Sequence, residues 1–335
     1  MARGYQRYRG RTPTWKKALV AGLVLVLVAA VLVILLQPKL VFDADGTHLE
    51  KDPDDVISST EETGDVDLED DFIIDIEEPK AENTPLLGVT VDAGFILGDQ
   101  APLLAEGQRP VATVKLPNQS FLFTETDAAT AAAMKEKNRA AGTVMRVSAF
   151  ADTRRADSAY SLAVMSVSGK AWRDPNGNAW LDPYDSANTA YLVDIVKQCV
   201  ALGATEIVLD DLQFPTYGIV NRVTYGDSPD TAQTRAAAIN GVLDAVAAAV
   251  EGQDVQLSIA LPASLLETGR DDTAGWELAS IAPKVDHIYM DAADQAAADS
   301  ARAAISALRP DVKADVFFVA ETAVPITGGS YVLVK

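Results

Sequence analysis

The chain has 335 residues, of which 48 are Asp or Glu and 28 are Lys or Arg, giving a formal net charge of −20. So large an excess of negative charge disfavours nucleic acid as a partner, because nucleic acid is itself an anion. Because Cys199 is the single cysteine, the chain cannot form an intramolecular disulfide, and we expect a buried free thiol. The chain has only two histidines, so we expect no zinc-type cluster of Cys and His.

The N-terminal region has the pattern of a membrane anchor. Residues 1–17 contain six basic and no acidic side chains, and residues 18–36 contain no charged or strongly polar one. These 19 apolar residues would form a helix of about 28 Å, enough to cross a hydrocarbon core of about 30 Å. Basic segments that flank a transmembrane helix remain on the cytoplasmic side of the membrane. We therefore predict a cytoplasmic tail (1–17), a transmembrane helix in the lipid bilayer (18–36) and an extracytoplasmic remainder. This describes a single-pass protein of the cell membrane.

A cleaved signal peptide is the alternative, but the apolar run is longer than usual and no small-x-small cleavage pattern follows it. Residues 37–82 come next, and from position 43 onward they contain 17 acidic and two basic side chains. Few aromatic residues and no regular period accompany this charge, which is typical of a disordered, self-repelling stalk. We therefore predict a stalk over 37–82 and a folded domain over 83–335.

The folded domain alternates apolar strand patterns with amphipathic helix patterns. Near-continuous apolar strands are typical of parallel strands buried on both faces, so we predict an α/β fold, a (β/α)8 TIM-type barrel. An open doubly wound sheet is the alternative, disfavoured by the count of eight strands and by the absence of a Gly-rich phosphate loop. The predicted strands are 88–92, 111–116, 143–150, 206–212, 255–261, 285–290, 312–319 and 331–335. The main predicted helices are 126–141, 186–202, 231–250 and 293–308.

Acidic residues accumulate where the predicted strands end. In a barrel these ends form one face, where the active sites of such folds lie. One carboxyl to protonate a leaving oxygen and one carboxylate as nucleophile or base are what glycoside hydrolysis needs. The polar residues at or beyond the strand ends are Asp92, Lys115, Asn118, Asp152, Asp210, Asp211, Glu267, Asp291 and Glu321.

Residues 172–184, WRDPNGNAWLDPY, are followed by a helix and then by EIVLDDLQFP at 206–215. This arrangement resembles a bacterial glycoside-hydrolase-like TIM-barrel family, a domain of unknown function marked by WRDxxGxxWxDPY and EIxFDYxRFP motifs. Arg146, in the segment VMRVSAF, is similar to that family's third strand. The resemblance implies a barrel related to carbohydrate-active enzymes, with Asp210 as the best catalytic candidate. We expect no metal or other cofactor, because retaining and inverting hydrolysis both need only carboxyl groups.

For the second carboxyl we favour Asp291, because strand six lies closer to strand four around a barrel than strand seven does. The candidate substrate-binding residues come from the family-like segments: Arg146, Asp152, Trp172, Arg173, Trp180, Asp182 and Asp211. Indole rings beside carboxylates and an arginine are suited to binding a pyranose. Two structural alternatives remain open. Both tryptophans can anchor the loop, and an Asp210–Arg146 pair can simply fix two strands.

The leading functional hypothesis is a membrane-anchored, extracytoplasmic glycoside-hydrolase-like protein acting on an envelope or extracellular polysaccharide. Asp211 and Gln213 replace the aromatic residue and the arginine of the family pattern, and the sixth strand lacks its aromatic–histidine ending. These departures support the alternative of a catalytically inactive barrel that serves as a surface carbohydrate-binding or scaffold module. A third hypothesis uses the barrel only as a protein-docking element of an envelope or sporulation complex.

Overall fold

A computed structural model describes residues 40–43, 46–49, 84–97, 104–121, 128–311 and 313–334, the first two segments as backbone only. The chain divides into two compact units, Met1–Asp75 and Ile76–Lys335. In the first unit, Leu40–Asp43 pairs antiparallel with Gly46–Leu49 in a short hairpin. The hairpin falls within the range predicted as a stalk.

The predicted tail (1–17), the predicted transmembrane helix (18–36) and the remainder of the predicted stalk lie outside the described residues. Within the described part of the chain, no helix is both long enough and apolar enough to cross a membrane.

The second unit is a closed barrel of eight parallel strands, which confirms the predicted TIM-type architecture and rules out the open sheet. Each strand pairs with the next in chain order, and β8 closes the ring by pairing with β1. The strands are β1 (Leu87–Val91), β2 (Gln108–Lys115), β3 (Val144–Ser148), β4 (Glu206–Asp210), β5 (Gln256–Ala260), β6 (His287–Asp291), β7 (Phe318–Thr322) and β8 (Ser330–Leu333).

Helices surround the barrel, and the four long ones confirm the sequence prediction within two residues at each end. These are α2 (Ala128–Ala140), α4 (Ser186–Ala201), α5 (Ala232–Val250) and α8 (Gln295–Ser306). The short helices are α1 (Gly94–Leu97), α3 (Thr153–Ser158), α6 (Leu265–Thr268), α7 (Leu278–Ile281) and α9 (Ala314–Phe317). Side chains at the N-caps start several of them, as Asp185 does for α4 by accepting from the backbone N–H of Ala187.

The prediction for the seventh strand was wrong in its position. Residues 314–317 form the single-turn helix α9, and the strand itself begins at Phe318. The apolar run Val316–Val319 is buried throughout, so its hydrophobicity does not distinguish a buried helical turn from a buried strand. A loop, residues 323–329, joins β7 to β8 without a helix.

Two apolar layers result from the alternation of side chains along each strand. The layer inside the barrel contains Tyr289 together with Leu86, Val111, Val144, Val208, Val319 and Val332. The larger layer lies between the strands and the helices. It includes the free thiol of Cys199, which is fully buried as predicted, and burial raises the pKa of that thiol.

Candidate functional site

An arginine joins two carboxylates at the C-terminal ends of the strands, called here the mouth of the barrel. Arg146 of β3 donates to Asp210, the last residue of β4, from Nε to Oδ2 at 3.0 Å and from Nη2 to Oδ1 at 2.5 Å. It also donates from Nη1 to Oε1 of Glu321 on β7, and its Nη2 lies 3.4 Å from Oε2 of the same side chain. One guanidinium therefore connects three strands.

The shared guanidinium limits how far apart the two carboxyl groups can be. Nη2 of Arg146 lies 2.5 Å from Asp210 Oδ1 and 3.4 Å from Glu321 Oε2. These two oxygens are consequently within about 6 Å of each other. Retaining glycosidases separate their two carboxyl groups by about 5–5.5 Å, and inverting enzymes by about 6.5–9.5 Å.

The charges at the mouth are strongly coupled. Burial lowers the pKa of Arg146, but Asp210 and Glu321 more than reverse this, so its pKa lies above the ordinary value. Burial raises the pKa of Glu321, and the nearby charges of Asp210 and Asp291 raise it further against the opposing effect of Arg146. Glu321 thus holds its proton to a higher pH than an ordinary glutamate does.

Asp291, the predicted second carboxyl, ends β6 and is exposed to solvent. It is the register partner of Glu321 on the neighbouring strand. The structure therefore brings Asp291 beside the Arg146–Asp210–Glu321 group, as an accessible carboxylate at the mouth.

Asp211 follows β4 in an unusual backbone conformation. Its φ is 51°, a left-handed value that costs energy for a residue other than glycine and that occurs often at functional sites. Its Oδ2 accepts a hydrogen bond from Ser148 Oγ at 2.6 Å. Burial raises its pKa, and the charge of Asp210 adds to this effect.

Asp152 and Lys115 form a buried ion pair next to this group. Lys115 Nζ lies 3.1 Å from Asp152 Oδ2 and donates to the carbonyl oxygen of Ser148 at 2.5 Å. Asp152 also accepts from the hydroxyl of Tyr191 and from the backbone N–H of Arg155, where it caps α3. With only 1% of its surface exposed, Asp152 contacts protein groups rather than the open mouth.

The family-like loop, residues 172–184, lies over the ends of β3 and β4. Asp174 Oδ1 accepts from the backbone N–H groups of Asn176 and Asn178, and Gly177 takes a φ of 86°, so this part of the loop forms an ordered turn. An isolated bridge pairs Trp180 with Ala151, just beyond β3.

Both tryptophans of this loop are buried. Trp180 donates from Nε1 to Asp174 Oδ2, and Trp172 donates from Nε1 to the carbonyl oxygen of Ile219 in the loop after β4. Their exposed fractions are 6% and 5%. These contacts support the anchoring alternative, and stacking on a sugar stays a prediction.

The two remaining predicted residues lie away from Arg146. Arg173 pairs with Asp157 of α3 and donates to the carbonyl oxygen of Gly177. Asp182 accepts from the backbone N–H of Tyr184. Burial raises its pKa to about 6, and the charges of Asp185 and Asp230 contribute.

Sequence reasoning left several residues out of the predicted site. Glu321 was noted at a strand end, but no motif marks it. Two inward-facing residues below the mouth, Glu206 and Tyr289, lie on strands whose predicted site residues, Asp210 and Asp291, stand at the C-terminal ends. The signal for Glu206 is a glutamate at the start of the strand EIVLD, before its three apolar residues. Among the described residues, no group of three or more His, Cys, Asp or Glu side chains is arranged to hold a metal ion.

Comparisons with known proteins give one family match, and no curated protein sequence matches the chain. Among solved structures, the chain is similar to the glycoside hydrolase domain of PgaB (BpsB) from Bordetella bronchiseptica, with a TM-score of 0.47, 11% identity and coverage of 71% of this chain and 84% of that one. It is also similar to the glycoside hydrolase domain of PelA from Pseudomonas aeruginosa (TM-score 0.43, 16% identity, coverage 72% and 85%).

A third similar structure is a hypothetical protein from Ruminiclostridium thermocellum, with a TM-score of 0.37, 24% identity and coverage of 45% of this chain and 82% of that one. The family match extends over residues 114–290, more than half of the sequence, and includes β3, β4 and the loop between them. The chain therefore belongs to the DUF4015 family, described as a putative glycosyl hydrolase domain.

Proposed function

We propose that this protein is a glycoside hydrolase that acts on an envelope or extracellular polysaccharide. The observation that carries the proposal is the pair of carboxyl groups, Asp210 and Glu321, held within about 6 Å by Arg146 at the mouth of the barrel. Asp291 adds an accessible carboxylate beside them. Glycoside hydrolysis requires two carboxyl groups, and the upper bound of about 6 Å is compatible with the separation of about 5–5.5 Å found in retaining enzymes.

Asp210 suits the role of nucleophile. Two N–H donors of Arg146 fix its orientation, and its side chain is still 20% exposed. In the first step one of its oxygens bonds to the anomeric carbon, while the bond from that carbon to the leaving oxygen breaks and the leaving oxygen takes a proton. Water then hydrolyses the glycosyl ester.

The proton comes from the neighbouring pair formed by Asp291 and Glu321. Asp291 is accessible to a leaving group, and Glu321 has the raised pKa that suits a general acid. After the first step, the same group accepts a proton from the attacking water. The step needs carboxyl groups and water, and no cofactor enters it.

The proposed location rests on the sequence. Residues 18–36 anchor the protein in the cell membrane with residues 1–17 in the cytoplasm, and the acidic segment 37–82 separates the barrel from the bilayer. The barrel then faces polymers outside the membrane. Protease added to intact spheroplasts should remove the barrel and leave the N-terminal tail protected, whereas a cytoplasmic barrel would resist digestion.

A catalytically inactive, carbohydrate-binding or scaffold barrel is the second candidate. One observation favours it: Arg146 occupies the position between Asp210 and Glu321 and contacts both carboxyl groups. In this arrangement both carboxylates are already paired. A protein of this kind would bind a polysaccharide without cleaving it.

The test is to incubate the full-length protein with a panel of envelope and extracellular polysaccharides, measuring binding and newly formed reducing ends. Asp210→Asn should abolish release of reducing ends, because amide nitrogen and oxygen replace the nucleophilic carboxylate. Asp291→Asn and Glu321→Gln identify the proton donor. Glu136→Gln, on the outer face of α2, is the control and should keep full activity.

Release of reducing ends that persists in Asp210→Asn would contradict the proposed nucleophile. Binding without cleavage would support the inactive barrel, and the absence of both would leave protein docking as the remaining candidate.

A further inference from the structure

A buried tyrosine forms the floor below the paired arginine. Tyr289 of β6 is fully buried inside the barrel, and the guanidinium carbon of Arg146 lies 5.9 Å from the centre of its ring. Valines from five other strands pack in the same layer, so the ring has little freedom to move. Arg146 therefore has two carboxylates as ion-pair partners and an aromatic ring close by.

The hydroxyl end of Tyr289 is fixed by a buried carboxylate. Its Oη donates to Glu206 Oε1 at 2.8 Å, and the same oxygen accepts from Ser258 Oγ and pairs with His287 Nδ1, each at 2.7 Å. The second oxygen, Oε2, lies 3.5 Å from Arg109 Nη2. The ring thus bridges a rigid anchor at the N-terminal end of the barrel and the guanidinium at the mouth.

We infer that Tyr289 is a positioning residue, which holds the guanidinium of Arg146 between Asp210 and Glu321 while Glu206 fixes the ring from below. This inference rests on the proposed function, because it assigns to Tyr289 the alignment of the two carboxyl groups for hydrolysis. The geometry itself can be tested without a substrate.

Glu321 reports the position of Arg146. The charged groups that act on Glu321 are Arg146 from β3, Asp210 from β4 and Asp291 from β6, and only Arg146 lowers its pKa. If the guanidinium loses its floor and moves, this lowering weakens and the pKa of Glu321 rises. A cavity that merely admits water has the opposite effect, because hydration favours the carboxylate. The sign of the change therefore separates positioning from simple loss of packing.

The experiment titrates Glu321 in the full-length protein labelled with ¹³C at the glutamate side-chain carboxyl, with the resonance assigned through Glu321→Gln. Tyr289→Leu removes the ring and should raise the Glu321 pKa by about one unit. Tyr289→Phe keeps the ring but loses the bond to Glu206, and it should give a smaller rise. Ser258→Ala is the matched control. It removes the other hydroxyl that donates to Glu206 Oε1 and leaves the ring of Tyr289 in place.

An unchanged or lowered Glu321 pKa in folded Tyr289→Leu would overturn the inference. So would an equal rise in Ser258→Ala, because the effect would then come from Glu206 and not from the ring. If Tyr289→Leu does not fold, Tyr289→Phe decides by the same criterion. A rise in pKa in a protein that cleaves no polysaccharide would refute the proposed hydrolysis and leave the positioning intact.

Discussion

The buried carboxylate of Glu206 offers a sharp test of how charge is stabilised inside this barrel. Its Oε1 accepts hydrogen bonds from Ser258 and Tyr289 and pairs with His287, while Oε2 lies near Arg109. The change Glu206→Gln keeps the shape of the side chain but removes its charge. It also replaces one oxygen by an NH2 group, which repels the guanidinium of Arg109 if it takes the place of Oε2.

The magnitude follows from the pKa of Glu206. Burial raises this pKa, but His287, Arg109 and the hydrogen bond from Ser258 outweigh burial and lower it from 4.5 to about 2. A carboxyl with a lowered pKa in the folded state stabilises the fold above its unfolded pKa and loses that contribution as the pH falls. The difference between the unfolded and the folded pKa of Glu206 contributes about 3 kcal/mol to the free energy of unfolding, at about 1.4 kcal/mol per pKa unit. This value is similar to the loss of about 3–5 kcal/mol in stability that follows when one partner of a buried ion pair is removed.

We therefore expect Glu206→Gln to lower the free energy of unfolding by about 3 kcal/mol at pH 7, and by about half as much at pH 3. The assay is urea denaturation of the full-length protein followed by the fluorescence of the buried tryptophans of the barrel, Trp172, Trp180 and Trp276. Glu136→Gln, exposed on α2, serves as the control and should change stability by less than about 0.5 kcal/mol.

A loss below about 1 kcal/mol at pH 7 would refute the reasoning, because it would mean that the charge of Glu206 is not used by its neighbours. A loss of equal size at pH 7 and pH 3 would also refute it, since the effect would then come from packing and not from ionisation.

Three further substitutions have expected outcomes, each measured by urea denaturation. Gly252→Ala should lower the free energy of unfolding by about 1 kcal/mol, and Gly203→Ala should lower it by much more. Both glycines have positive φ, but of the two only Gly203 would bring a Cβ into collision with the backbone of α2. Equal losses would contradict this. Lys115→Met should lower the free energy of unfolding by about 3–5 kcal/mol at pH 7, because it leaves Asp152 buried without its cation. A loss below about 1 kcal/mol would show that Asp152 needs no counter-ion. Burial raises the pKa of Glu321, so the wild type loses stability as this group ionises with rising pH. Glu321→Gln has no such group, and its stability should therefore increase relative to the wild type between pH 4 and pH 8. A pH-independent difference would disprove this.

The architecture of the barrel could be predicted from local patterns. Apolar strands buried on both faces and helices with one apolar face leave a repeating signal along the chain, and eight such strands predicted the closed ring. The exception, the seventh strand, shows the limit of this signal. The run Val316–Val319 is equally apolar in its helical and extended parts, so only the surrounding packing decided where the helix α9 ends.

Two kinds of signal predicted residues at the mouth: motifs marked Arg146 and Asp210, and the order of the strands indicated Asp291. Asp210 and Arg146 lie in family-like segments, on strands that adjoin in the sheet, and their pairing was considered from the sequence. The burial of Trp172 and Trp180 was not predictable, because an indole can stack on a ligand or fill a gap beneath a loop. Only the folded chain shows that the two rings are buried and donate hydrogen bonds to Ile219 and Asp174, while stacking on a sugar stays a prediction.

The sequence by itself determined the type of fold, the strand ends that carry acidic residues and the identity of Asp210 as the central candidate. Only the tertiary structure joined Glu321 to Arg146, 175 residues away, and placed Tyr289 and Glu206 beneath them. The physical reason is the closure of the barrel. It brings β7 across from β3 and stacks inward-facing side chains of different strands in layers, and these distances depend on register and not on spacing along the chain.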